Sequence, residues 1–395
     1  MPENVQSLRS VIGEGLPIFI TAINMRAGLV IMSPLYPILK VQYNLSSFQL
    51  SFLTSLSVLC FAGSGLIMPL VAKIGSTNRV ITFSLAMLSA AIFFRTVGNV
   101  SMLFMASLAV GIAIAILNFS LPVWVKENAP DHSGLLTGIY ITVMGIFAAL
   151  SIAVAVPLAE ATSWGWRFAM IPWLLIAVAS TIWWFAKNAK SAEKKNQTSH
   201  STFHRELFKK PGAWSITLFF GFQSMLFYGT ATWLPTIFVS KGYSLFHAGL
   251  VVSITGLFGS LIGVAVPHYA SRLKNIQVLL LILGALITVS FIGMIFDSGW
   301  RLVFWLVIVN IGLATTFPLS LMLTVTRSYE ASETRSLSIM AQSVGYLMAA
   351  ISPGIVGAIF DSTNNWGSAL IFPAVLGALL GLVGFFAGKS EKIKI

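Results

Sequence analysis

The sequence predicts an all-α polytopic membrane protein with twelve transmembrane helices in two pseudo-symmetric six-helix bundles. Three observations lead to this fold class. Of the 395 residues, 56% are hydrophobic and 9% are charged, and the mean hydropathy is +0.87, far from the composition of soluble proteins. Twelve apolar runs are long enough to cross a bilayer. Matching residues also recur at a nearly constant offset in the two halves of the chain.

The first apolar run already has the length of a membrane span. Its 24 residues exceed the roughly 20 that a transmembrane helix needs. It is too long for the core of a signal peptide and no small-residue cleavage site follows it, so we expect it to be retained. Eleven further runs follow in order. The predicted spans cover residues 16–39, 47–72, 79–98, 101–125, 134–159, 166–186, 213–239, 245–271, 276–296, 301–326, 335–360 and 366–388.

A long polar segment separates the sixth run from the seventh. Residues 187–211 are rich in Lys, Ser and Thr, a composition typical of a linker outside the membrane. We therefore predict an N-terminal six-helix bundle over residues 1–186, a cytoplasmic linker over 187–211, and a C-terminal six-helix bundle over 212–395.

The two predicted bundles repeat each other weakly. A shift of 198 to 201 residues superposes eight residues of the first half on identical residues of the second. Eight such matches at a nearly constant offset favour two copies of one six-helix unit. The pairs are Pro37 and Pro235, Ser46 and Ser244, Gly65 and Gly263, Pro69 and Pro267, Gly111 and Gly312, Gly145 and Gly345, Trp166 and Trp366, and Pro172 and Pro373.

The distribution of basic residues predicts the orientation in the membrane. An even number of spans places both termini on one side. Of the 24 Lys and Arg residues, 18 fall on that side, five fall on the other, and Arg26 lies within a span. The positive-inside rule therefore predicts that both termini are cytoplasmic, in a multi-pass protein of the bacterial inner membrane.

Arg26 is the central functional candidate. It lies ten residues after Leu16, about 15 Å into the first span, where an unpaired guanidinium costs between ~3 and more than 10 kcal/mol. All twelve acidic residues fall in tails, loops or span ends, so none is expected to neutralise it. Two interpretations stay open. Arg26 either faces a wet cavity and binds an anionic solute, which we favour, or it clamps backbone carbonyls or helix ends.

Two neighbours of Arg26 are further candidates. Asn24 lies two residues away and so points about 200° around the helix from Arg26. For Asn24, an interhelical hydrogen bond is favoured over a contact with a ligand. Pro34 and Pro37 are expected to bend the outer end of this helix and to bring Tyr36 toward the cavity mouth.

Polar residues in four other spans complete the predicted binding site. An amide at membrane depth must find a partner, and a neighbouring helix competes with a ligand for that role. Ser338, Gln342 and Tyr346 of the eleventh span form a polar stripe on one face of the helix. Trp233 of the seventh span could equally be an interfacial anchor. The candidates are Asn118 of the fourth span, Gln223, Tyr228 and Trp233 of the seventh, Thr316 of the tenth, and Gln342 and Tyr346 of the eleventh.

Several function classes are disfavoured. No acid and base pair, nucleophile triad or metal-ligand cluster lies within the spans, so we predict no enzyme, no metal and no cofactor. The net charge of +12 is scattered over short loops, which indicates membrane orientation and not a nucleic-acid partner. Glu14, His247 and His268 lie close to span ends and are weak candidates for coupling to protons. Lone Cys60 says nothing about the redox compartment.

Four segments resemble one family. INMRAGL at 23–29, YGTATWLPTIF at 228–238, GLATTFPLSLML at 312–323 and MAQSVGYLMAAISPGIVGAIFD at 340–361 are similar to the cyanate/nitroimidazole permease branch of the major facilitator superfamily. The resemblance implies a cavity lined by helices one, four, seven and ten, with Arg26 at its centre and a small, anionic or polar, planar solute as cargo. This chain departs from the family by Ala27, where the branch usually has Pro, and by an acid-free loop AKIGSTNR.

These features together predict a monomeric secondary transporter that works by alternating access. Its partners are a small or medium-sized anionic or polar solute and the lipid bilayer. The sequence does not decide whether protons are the coupling ion. Three other readings remain: polyspecific efflux of apolar drugs, transport of a carboxylate siderophore or metabolite, and a receptor or scaffold that transports nothing.

Overall fold

Every described element of the protein is helical. The computed structural model describes residues 8–63, 75–129, 132–189, 205–270, 276–389 and 393. Short 3-10 turns also occur at 33–35 and 205–209. The helices are α1 (Leu8–Val30) with its short continuation α1′ (Tyr36–Tyr43), α2 (Ser47–Ala62), α3 (Thr77–Val97), α4 (Val100–Asn128), α5 (Ser133–Glu160), α6 (Trp166–Ala189), α7 (Pro211–Ser240), α8 (Leu245–Ala270), α9 (Ile276–Phe296), α10 (Gly299–Thr326), α11 (Ala331–Thr363) and α12 (Trp366–Ala387).

Each predicted span corresponds to one of these helices, so the predicted twelve-helix membrane fold is confirmed. Within the described ranges, ten helices are long and apolar enough to cross a membrane. The other two are α2, described over 16 residues, and the more polar α7 of 30 residues. Parts of some predictions lie outside the described residues, namely 64–72 of the second span, 190–204 of the linker, and Gly65 and Pro69 of the repeat.

Small residues let helices of the same half approach closely. A Cβ atom on Gly111 of α4 would overlap the backbone of Ser57 in α2, and one on Gly284 of α9 would overlap Gly381 in α12. Association of helices in lipid depends on such close packing, because the hydrophobic effect supplies little force there. Apolar side chains on the outer faces remain free to contact lipid.

The first membrane-spanning helix is broken near its end, as its two prolines predict. α1 ends at Val30, a 3-10 turn covers Ser33–Leu35, and α1′ begins at Tyr36. Pro34 has no N–H to donate to the carbonyl of Val30, so the regular hydrogen-bond ladder stops there. The break leaves carbonyl oxygens of the last turn of α1 without intrahelical partners.

The two halves of the chain contact each other at the end of the molecule opposite both chain termini, which we call the far side. Ser33 Oγ donates to the carbonyl of Ala231 at 2.6 Å. The rings of Tyr36 and Trp233 pack edge to face at 5.5 Å. Further along the same side, α2 lies against α11 and α5 lies against α8. These contacts close the far side.

Candidate functional site

Arg26 lies near the middle of the membrane, and no described residue neutralises it. It is two residues from residue 28, the midpoint of the apolar stretch Gly13–Tyr43, and its side chain is half-buried. The guanidinium carbon lies 5.1 Å from the ring centroid of Phe227 in the other half of the chain. No residue in the described part of the chain forms a hydrogen bond or an ion pair with it. The guanidinium therefore keeps its hydrogen-bond donors free for a ligand.

Five aromatic residues form a cluster beside this guanidinium, which we call the aromatic box. The rings of Phe61 and Tyr346 lie 5.6 Å apart, those of Phe220 and Tyr346 5.2 Å, and those of Phe227 and Tyr228 5.1 Å. Phe61 comes from the N-terminal half, and the other four come from the C-terminal half. The aromatic box therefore spans the boundary between the halves.

The two tyrosines of the aromatic box present free hydroxyl groups. Both interact electrostatically with Arg26. Neither hydroxyl has a hydrogen-bond partner among the described residues, and neither hydroxyl oxygen is completely inaccessible to solvent. A hydroxyl in a dry contact would need a partner, so these two hydroxyls are available to a ligand near the guanidinium.

Arg26, Tyr228 and Tyr346 also lie at the same depth in the membrane. Tyr228 is within three residues of the middle of Pro211–Ser240. Tyr346 is two residues from residue 348, the middle of the apolar stretch Glu333–Thr363. Three helices from both halves thus bring one cation and two hydroxyls to the centre of the protein, where a transported solute would have to pass.

Two predicted amides are also free. Gln342 lies one helical turn before Tyr346 and is half-buried, and Asn118 of α4 is exposed. Neither side chain forms a hydrogen bond within the described ranges. Both remain candidates for contact with a polar solute.

The other predicted site residues in the membrane interior donate hydrogen bonds to protein acceptors, two of them on a neighbouring helix. Asn24 Nδ2 donates to Ser180 Oγ of α6 at 2.9 Å. Gln223 Nε2 donates to the carbonyl of Leu313 in α10 at 3.5 Å. Thr316 Oγ1 donates to the carbonyl of Gly312 in its own helix at 2.9 Å. Asn24 and Gln223 thus join helices, and the hydroxyl of Thr316 is used within its own helix.

Tyr36 and Trp233 belong to the far-side closure. The hydroxyl of Tyr36 pairs with Thr54 Oγ1 at 2.9 Å, and Trp233 Nε1 donates to the carbonyl of Pro353 at 2.9 Å. Both side chains are 1% exposed. They pack against each other above the site, so in this state they separate it from the far side.

Arg95 is a buried cation that the sequence analysis missed, because it was counted among the five basic residues at the non-cytoplasmic surface. Its side chain is 1% exposed, and Nη1 donates to the carbonyl of Gly28 at 2.5 Å. Nε and Nη2 have no hydrogen-bond partner among the described residues. The carbonyl belongs to the last turn of α1, where the break leaves partial negative charge. The prolines that break α1 are the sequence signal that could have indicated free carbonyl groups able to accept from a buried arginine.

The geometry suits reversible binding. The described residues contain no group of three or more His, Cys, Asp or Glu side chains that could hold a metal ion. A single cation, two hydroxyls and flat ring faces can hold a polar solute by hydrogen bonds and ring contacts that are easily broken.

Comparisons with known proteins agree with this architecture. The family model of the Major Facilitator Superfamily matches residues 18–353. The chain is 30% identical to the 2-nitroimidazole transporter of Escherichia coli, over 95% of both chains. It is 24% identical to the cyanate transport protein CynX of the same organism, over 89% of this chain and 91% of that protein.

A solved structure has the same fold. A bacterial homologue of the human lysosomal transporter Spinster, in an inward-facing and occupied conformation, superposes with a TM-score of 0.77. The match covers 97% of each chain at 16% sequence identity, so it supports the fold and not the substrate.

Proposed function

Because this chain belongs to the Major Facilitator Superfamily and is a membrane transporter and not an enzyme, we propose that it moves a small or medium-sized, planar anion by alternating access. The observation that carries the proposal is the unpaired Arg26 at mid-membrane, beside the free hydroxyls of Tyr228 and Tyr346. A cation in that position is costly unless water or an anion relieves it. A passing anionic solute would supply the missing partner.

The aromatic box supports a planar cargo. The faces and edges of Phe61, Phe220 and Phe227 can pack against a flat, conjugated molecule, while the tyrosine hydroxyls donate to its oxygen or nitrogen atoms. The relatives named for 2-nitroimidazole and cyanate are transporters of small polar solutes, which is consistent with this cargo. A carboxylate siderophore or metabolite could present one anionic group to the same guanidinium.

The binding energy of such a site is modest. One charge-assisted hydrogen bond contributes about 1.5–3 kcal/mol, and aromatic contacts add about 0.5–1.5 kcal/mol each. A transporter must release its cargo, so one guanidinium without a rigid cage of donors fits transport better than permanent binding.

The state of the molecule supports access from one side. The far side is closed by Ser33, Tyr36 and Trp233, whereas Arg26, Asn118 and Gln342 remain partly or fully exposed. We infer that the site opens toward the side of the chain termini. The excess of basic residues on that side supports a cytoplasmic location for it, in the bacterial inner membrane.

The test combines ligand screening with an arginine substitution. The purified protein is screened by thermal shift against cyanate, nitrate, nitroaromatics, aromatic carboxylates and carboxylate siderophores, because a ligand that binds only the folded state raises the melting temperature. Each hit is then measured by counterflow in vesicles. We expect Arg26→Gln to abolish both the shift and the exchange, and Arg26→Lys to weaken them, since Lys lacks the planar fork of donors.

Arg301→Gln is the matched control, because Arg301 is an exposed far-side arginine whose ion pair at 3.7 Å is with Asp297 of its own half. It should leave binding and exchange unchanged. Anion exchange that survives Arg26→Gln with an unaltered KM would overturn the proposal. Exchange of apolar drugs alone would support polyspecific efflux, and binding without exchange would support a receptor.

A further inference from the structure

Asp361 joins the two halves of the chain at the far side. It lies in the last turn of α11, and its carboxylate accepts hydrogen bonds from the backbone N–H groups of Ser47 at 3.1 Å and Phe48 at 2.8 Å. Those residues begin α2, in the other half. The first N–H groups of a helix have no partners within that helix, and they carry partial positive charge. A carboxylate is therefore a well-matched partner for them.

The remaining N–H groups at the start of α2 are satisfied locally. Ser46 Oγ accepts from the N–H of Gln49, and the Gln49 side chain accepts from the N–H of Ser46, which forms a capping box. Only the N–H groups of Ser47 and Phe48 remain, and Asp361 accepts from both. The start of α2 is thus fully paired only while α11 lies against it.

The surface of α11 around Asp361 is shaped for this contact. Gly354, Gly357 and Asp361 are spaced by three and four residues and so share one face of the helix. A Cβ atom on Gly357 would lie 2.9 Å from the carbonyl of Ser47, and one on Gly354 would lie 3.4 Å from the ring of Phe48. The close approach of the two backbones therefore depends on glycine at position 357, whereas Gly354 meets only side-chain atoms.

A cation of the N-terminal half strengthens the same contact. Lys40 of α1′ donates to Ser47 Oγ at 3.0 Å and lies 4.8 Å above the ring of Phe360. It also attracts the carboxylate of Asp361. Asp361 is therefore held by a helix terminus and by a cation, and both belong to the opposite half.

We propose that Asp361 is a latch that controls the conformational equilibrium of transport by keeping the far side closed. Opening the far side separates α11 from α2, so both hydrogen bonds of the carboxylate must break and water must replace it. The proposal rests on the alternating-access part of the proposed function, and it is independent of which solute is carried.

Distances between spin labels test the latch directly. In a Cys60→Ala background, labels are placed at Val41 and Phe246, which are 85% and 40% exposed and lie on opposite halves of the far side. Pulsed electron resonance is recorded on the full chain in lipid nanodiscs without added solute. We expect Asp361→Ala to increase the population with the longer distance about tenfold or more, the effect of losing one charge-assisted hydrogen bond or more. Asp361→Asn, which keeps one acceptor oxygen but no charge, should give an intermediate population.

Asp297→Asn is the matched control. Asp297 is also a far-side aspartate, but its carboxylate accepts from Trp305 at 2.7 Å and faces Arg301, both in its own half. It should leave the distances unchanged. Wild-type distances in Asp361→Asn and Asp361→Ala, or an equal shift in Asp297→Asn, would overturn the latch. The spin-label distances are measured without solute, so they do not depend on whether the protein binds an anion. A negative result for anion binding and a negative result for the latch can therefore be told apart.

Discussion

At the scale of single residues, Arg26 and Arg95 differ in their hydrogen bonding: Arg95 donates to a backbone carbonyl, whereas Arg26 donates to none of the described residues. Arg95 is 1% exposed and donates to the carbonyl of Gly28. Arg26 is half-buried, lies over the ring of Phe227 and donates to none of the residues the structure describes. Two arginines of equal charge thus have different roles because of what surrounds them. Arg95 stabilises the end of α1, and Arg26 can bind a solute.

The tyrosine hydroxyls of the aromatic box should contribute measurably to affinity. Tyr228→Phe and Tyr346→Phe each remove one hydroxyl and keep the ring. A net loss of about 0.5–1.5 kcal/mol per hydrogen bond corresponds to an increase of about 2- to 13-fold in Kd, measured by titration of the hit from the thermal-shift screen. The rings remain, so the melting temperature without ligand should change little.

Tyr243→Phe provides the comparison, since that hydroxyl donates to the carbonyl of Gly299 at the far side, away from the box. Its Kd should equal that of the wild type. An unchanged Kd in both box variants would remove the tyrosines from the site.

At the scale of helices, two helices can approach most closely where a glycine of one faces the backbone of the other. The space beside Gly284 is filled by the backbone of Gly381, while a Cβ atom on Gly256 of α8 would meet nothing within 4 Å. Gly284→Val should therefore force α9 and α12 apart and destabilise the protein by about 1–3 kcal/mol. Gly256→Ala should be neutral or stabilising by up to about 1 kcal/mol, because Ala favours the helix.

Thermal unfolding of both variants, followed by light scattering or fluorescence in the same detergent, measures this difference. A Gly284→Val protein with the wild-type melting temperature would show that α9 and α12 do not depend on the contact.

At the scale of the whole molecule, the proposed orientation predicts which ends meet which compartment. A green fluorescent protein fused to the C-terminus should fluoresce in intact cells, because both chain ends are proposed to be cytoplasmic. Alkaline phosphatase fused after Phe296, at the far-side end of α9, should be active, because that enzyme requires the periplasm. Dark C-terminal fusions together with inactive phosphatase fusions would reverse the assignment of the two sides.

Much of this architecture could be predicted from the sequence, because a bilayer imposes simple rules. Every backbone group in lipid must be paired within a helix, so the length and apolar content of each run specify a span without knowledge of its neighbours. The break near Pro34 follows from a missing N–H in the same local way. The family resemblance, which the comparisons confirm, was carried by short segments around Arg26, Trp233 and Pro318.

The division of labour among the polar residues could not be predicted in this way. The sequence favoured an interhelical hydrogen bond for Asn24, and the structure contains one. It could not separate Gln223 and Thr316 from Gln342 and Asn118, because the type of a side chain does not show which acceptor lies on the neighbouring helix. Only the packing shows that Asn24 reaches Ser180 and that Gln223 reaches Leu313.

The sequence by itself therefore determined the membrane class, the number of helices and the depth of Arg26, because these depend on local composition and periodicity. The transporter family came from the resemblance of short segments to known permeases, not from composition. The tertiary structure alone decided which polar groups are free, where Arg95 is buried and that Asp361 meets the start of α2. Those outcomes depend on contacts between segments up to 314 residues apart, and such contacts exist only after the helices have packed.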